Sequence, residues 1–109
     1  MTGCAAACIV ALITATAANA QCPTPRMPLE QSAAIKRSML PPGGRMGDYE
    51  LDHIVPLCLC GSNDRANLQL QPWPEACRKD ELEWELCRAV ERGAMTQEEA
   101  VKRIREWRP

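Results

Sequence analysis

Five cysteines between Cys22 and Cys87 constrain this chain more than any other feature. A domain of this size has room for only a modest core, and it has no phenylalanine to fill one. Leu, Ile, Val, Met and three tryptophans must do so instead. Disulfides are the usual remedy in a small exported domain. Five is odd, so one thiol stays free or pairs between chains. Cys58 and Cys60 are too close to bridge each other without strain. Cys77 and Cys87 fall on one expected helix, about 15 Å apart at the helical rise, too far for a bridge. Bridges must therefore link different segments, such as Cys60 to Cys77 or Cys22 to Cys87. A zinc centre would want two C-x-x-C knuckles. One C-x-C and scattered single cysteines make a structural zinc domain the weakest reading.

Export is expected from the first stretch of the chain. Residues 1–20 carry no charge and form an Ala-rich apolar run ending in Ala18-Asn19-Ala20. That pattern suits a signal peptide cut after Ala20. The run is too short and too rich in Ala and Thr to span a bilayer comfortably. The expected destination is the periplasm or the medium, with no membrane attachment after cleavage.

Charge is nearly balanced but unevenly spread. Between Gln21 and Gly47, Arg26, Lys36, Arg37 and Arg45 face only Glu30. From Asp48 to Glu91, ten acids face Arg65, Arg78, Lys79 and Arg88. From Arg92 onward five bases face three acids. An acidic centre repels a polyanion unless a metal ion sits in it, whereas basic flanks can hold phosphates. Lys36, Arg37 and Arg45 are the candidate nucleic-acid contacts.

Local signals give the order of elements. Cys22–Pro28 has three prolines and reads as an extended lead-in. Leu29–Leu40 has helical spacing and stops at Pro41-Pro42-Gly43-Gly44. Tyr49–Val55 reads as a strand, with Tyr49, Leu51 and His53 on one face and Glu50, Asp52 and Ile54 on the other. Pro56–Ala66 is a long turn-rich connection, and Asn67–Leu70 a short second strand. A helix is expected from Glu75 to Arg92 with an apolar stripe at Leu82, Leu86 and Ala89-Val90, closed by Gly93. Thr96 and Glu99 form a capping box for a last helix striped by Ala100, Ile104 and Trp107. The fold class is α+β.

The stretch "YELDHIVPLCLCGSNDRANLQL" holds the only histidine of the chain, His53, directly after Asp52. A lone histidine is more often a structural imidazole than a reactive one. Here a turn-rich loop and Asn67-Leu68 follow it. Asp52-His53-Ile54-Val55-Pro56, Gly61 and Asp64 in the loop, and Asn67-Leu68 together resemble the HNH nuclease superfamily. With "KDELE" at Lys79–Glu83, the stretch is similar to small exported HNH-type proteins of bacteria and phages. The resemblance covers about Tyr49 to Val90. It implies a ββα-metal core over 49–92, flanked by an N-terminal segment and helix over 21–48 and a C-terminal helix over 93–109. Cys58 and Cys60 stand where the similar proteins tend to have a polar residue and a second glycine.

The implied chemistry is phosphodiester hydrolysis. It needs an attacking water, a base for its proton, and positive charge at the phosphoryl and leaving oxygens. Histidine suits the base near neutral pH, so His53 would activate water. Asp52 would offer a hard oxygen to a divalent cation. Asn67 would hold the hairpin and fix the imidazole's orientation. The family's last ligand, another His or Asn on the helix, is missing. Glu75 is the best substitute, ahead of Asp80 and Glu83. Oxygen ligands favour magnesium or manganese over zinc. The expected function is an exported, metal-dependent endonuclease acting on DNA, or on RNA, with little sequence preference. The alternative is a catalytically inactive, disulfide-held binding or inhibitor module on the same hairpin.

Overall fold

The computed structural model describes residues 22–109. The expected signal peptide, residues 1–20, lies outside them. The described part is a small α+β protein: one antiparallel hairpin and three helices. No helix among the described residues is long and apolar enough to cross a membrane.

Helix α1, Leu29–Met39, begins after Pro28 and ends where Leu40 turns extended at φ −60°, ψ 135°. Pro41 forces that turn, because its ring disfavours helical geometry in the preceding residue. Glu30 lies in its first turn and Lys36 and Arg37 in its last, each sign matched to the helix dipole. None of its residues is buried.

Strands β1, Tyr49–His53, and β2, Leu68–Pro72, pair antiparallel, with Leu51 opposite Leu70, Asp52 opposite Gln69 and His53 opposite Leu68. The expected strand through Val55 stops at His53 because a side chain takes over the pairing. Asn67 Oδ1 accepts from the Val55 amide at 3.0 Å, and Asn67 Nδ2 donates to the Val55 carbonyl at 2.9 Å. The same Nδ2 donates to Ser62 O at 2.8 Å. Asn67 thus closes both ends of the 54–67 loop. Gly61 is the other fixed point there. A Cβ at this position would overlap the Val55 carbonyl, so only glycine lets the loop fold back so closely.

Helix α2, Trp73–Glu91, starts two residues earlier than expected. Pro74 opens it rather than delaying it, since proline has no amide to leave unpaired in a first turn. Gly93 takes φ +75° after its end, where a side chain would be strained. Helix α3, Gln97–Glu106, is capped as expected: Thr96 Oγ1 accepts from the Glu99 amide at 3.1 Å. Leu86 and Val90 of α2, Ala100 and Ile104 of α3, and Val55 and Leu59 of the loop form the core.

The disulfides join Cys22 to Cys60 and Cys58 to Cys87, and Cys77 is free and exposed. This corrects both expected pairings. Cys77 stands beside buried Ala76 but turns away from it, since successive residues of a helix point about 100° apart. Cys87 packs against the core cluster and meets Cys58 in the 57–59 turn. Cys60 adopts left-handed φ +64°, a conformation easier for glycine, and is tied to the lead-in. Two disulfides are compatible with an oxidising compartment. Alkylation without reductant is expected to label Cys77 and no other cysteine between Cys22 and Cys87, as read by peptide mass. Label at Cys58 or Cys87 would contradict the bridge.

Candidate functional site

The hairpin presents two chemically different faces. Residues opposite each other across an antiparallel pair share a face. Glu50, Asp52, Gln69 and Gln71 therefore lie together on one. Tyr49, Leu51, His53, Leu68 and Leu70 share the other. Helix α2 brings Lys79, Asp80 and Glu83 against the first.

At the centre of that polar layer is Lys79, 1% exposed. Its ammonium lies 2.8 Å from Asp52 Oδ2 and 3.1 Å from Oδ1, donates to the His53 carbonyl at 2.8 Å, and pairs with Glu83. Those partners use all three of its hydrogens. Asp52 is 3% exposed and also accepts from Gln69 Nε2 at 2.9 Å. A buried charge must be paired and hydrogen-bonded in this way to be tolerated.

Around this pair the carboxylates outnumber the cation. Burial, opposed by the Lys79 partner, pushes Glu83 up to about 7. Burial, followed by the Asp80 carboxylate beside it, pushes Glu50 up to about 7. Both acids ionise more readily in the unfolded chain, near 4.5. Between those values the native state binds more protons, so stability falls as pH rises from about 4.5 through about 7. A higher melting temperature at pH 5.5 than at pH 8 is expected, and Glu50→Gln should flatten the difference. A melting temperature that rises with pH over this range would contradict it.

Carboxylate oxygens of Glu50, Asp52 and Asp80 lie within 4.8 Å of one another. Such hard donors suit magnesium, manganese or calcium. Gln71, opposite Glu50 and 5% exposed, carries an Oε1 that has no hydrogen-bond partner. The donor set therefore fits a hard cation at the Glu50–Asp80 edge of the layer, while Asp52 is shared with Lys79. Glu75, the expected ligand, stands half-exposed in the first turn of α2 and is not part of this group. Asp80 lies one further turn and more along the helix and reaches it instead.

On the other face, His53 Nε2 lies 2.8 Å from Asn63 Oδ1. Asn63 Nδ2 donates to the Pro25 carbonyl at 2.9 Å, which aims its Oδ1 at the ring. A nitrogen facing a carbonyl oxygen must carry the hydrogen, so the neutral ring keeps its lone pair on Nδ1. Asn67 does not touch the imidazole. It shapes the loop that carries Asn63, and Asn63 orients the ring. Sequence reasoning missed Asn63, Lys79 and Gln71. Lys79 had a signal: stepping back from Val90 and Leu86 by three and four residues lands on Glu83, Lys79 and Ala76. A lysine on a helix's inward stripe calls for a buried acid.

Lys36 is half-buried and Arg37 exposed on α1, while exposed Arg45 pairs with Asp48 at 3.5 Å. Comparison with protein-family models, curated proteins and solved structures finds no match. What this site can do rests on its own geometry.

Proposed function

We propose that this protein is a metal-dependent endonuclease of the HNH type, hydrolysing phosphodiester bonds of nucleic acid outside the cytoplasm. The observation that carries the reading is the oriented imidazole of His53. Asn63 holds the proton on Nε2, so Nδ1 is available to take a proton from water as it attacks phosphorus. Lys79 secures the His53 backbone from the opposite side, which keeps the base in place. The carboxylates suited to a hard cation, Glu50, Asp52 and Asp80, lie on the hairpin face opposite His53, so positive charge at the phosphoryl and leaving oxygens would come from a cation bound on the His53 face together with the substrate. In this reading Asn67 positions and does not react.

The saturated Asp52–Lys79 pair favours a second reading. A buried carboxylate already held by an ammonium is poorly placed to become a principal metal ligand. On that view the hairpin is an inactive binding module whose internal cation is Lys79. Plasmid nicking by the purified, disulfide-bonded protein with manganese or magnesium separates the two. The nuclease reading expects nicked circles that EDTA abolishes. No nicking with either metal leaves the binding module. Nicking that persists in EDTA removes the metal from the mechanism.

A further inference from the structure

Helices α2 and α3 enclose a groove of about 340 Å³ on a surface the hydrolytic reading does not use. Arg88, Arg92 and Arg103 line it with Trp84, Met95 and Glu85. All three arginines are exposed. Among the described residues none of them is in an ion pair. Trp84 is 63% exposed, and the Arg88 guanidinium lies over its ring, 4.8 Å from the centroid. An exposed indole beside three guanidinium groups, with Glu85 the one acid in the lining, offers a cationic and aromatic surface together.

We infer that this groove binds a single-stranded nucleic-acid segment, its phosphates on Arg88, Arg92 and Arg103 and a base stacked on Trp84. The inference rests on the nucleic-acid reading above and gives it a substrate class. Charge complementarity demands an anionic partner, and the flat indole–guanidinium pair selects one with aromatic faces. An unpaired base offers its face, whereas a duplex keeps its bases stacked internally. A merely acidic peptide would use the arginines and leave Trp84 uncovered. Beyond Trp84 the helix turns acidic at Asp80 and Glu81. Asp80 is also part of the carboxylate group suited to a cation. Without a cation those carboxylates repel phosphate, which confines the anchored strand to the arginine side of Trp84.

The test is fluorescence anisotropy of labelled oligothymidylate with the disulfide-bonded protein in EDTA, across a range of salt. A duplex and poly-glutamate serve as competitors, and plasmid nicking with manganese is followed in parallel. Trp84→Ala is expected to weaken binding about 5-fold or more, the effect of losing about 1 kcal/mol or more of stacking. The combined Arg88→Gln, Arg92→Gln and Arg103→Gln variant should flatten the salt slope by about 2, at about 0.7 per single-strand phosphate contact. Unchanged affinity and slope in both variants would overturn the groove, even if nicking continued. Displacement by poly-glutamate or duplex as readily as by oligothymidylate would overturn it too, as would no binding by the unmodified protein. Binding that depends on these residues without any nicking would support the groove and defeat the nuclease reading alone.

Discussion

Lys79→Met is expected to destabilise the fold by about 3–5 kcal/mol, the usual loss when one partner of a buried ion pair is removed. Methionine keeps the length of the side chain, so little of the effect should come from a cavity. What is lost is charge. Asp52, 3% exposed, would keep Gln69 as its only hydrogen-bond donor. Glu83 would lose its cation, and the His53 carbonyl would lose its donor. Total stabilities of domains are about 5–15 kcal/mol, so this one contact decides whether a small fold survives. Urea unfolding with the disulfides intact measures it. Adding Asp52→Asn to Lys79→Met should recover part of the loss, because a neutral amide is cheaper to bury than an unpaired carboxylate. A loss under about 1 kcal/mol for Lys79→Met would show that water reaches Asp52, and the buried pair would then not be a brace.

For the proposed hydrolysis, His53→Ala is expected to lower the cleavage rate about 10²–10⁴-fold, the contribution of a positioned general base. The half-buried ring touches Asn63 and lies outside the α2–α3 core, so circular dichroism and the single Cys77 label should be unchanged. Asn63→Ala should lower the rate less, because it frees the ring without removing it. Its signature is a fall in kcat with KM little changed, since the ring is loosened and no substrate contact is removed. Asn63→Asp keeps an oxygen for the ring but loses the donor to the Pro25 carbonyl, so it should not restore the full rate. Full activity of His53→Ala at every pH would remove this residue from the reaction and leave the imidazole a loop support.

Much of the chain's local structure could be read without the fold. Thr96 caps α3 and Gly93 follows α2 at positive φ because those signals act over three or four residues. Pro41 ends α1 for the same reason. The alternation along Tyr49–His53 correctly separated Asp52 from His53 because strand geometry alone sets it. Asn67 ties the hairpin's loop through Val55 and Ser62, and the imidazole is left to Asn63.

Partner choice was not local, and only the tertiary structure decided it. Cys58 meets Cys87 across 29 residues and Cys22 meets Cys60 across 38, because helix rotation turns Cys87 inward and Cys77 outward. Lys79 finds Asp52 across 27 residues, and Asn63 reaches both His53 and the distant Pro25 carbonyl. Asp80 rather than Glu75 approaches Glu50 because α2 begins at Trp73 and its phase sets which acid faces the hairpin. The sequence determined which residues could carry charge, a thiol or a proton, and the conformations their neighbours imposed. Which of them stand within 3 Å of one another depended on the packing of α2 against the hairpin, a contact whose register no short stretch of chain encodes.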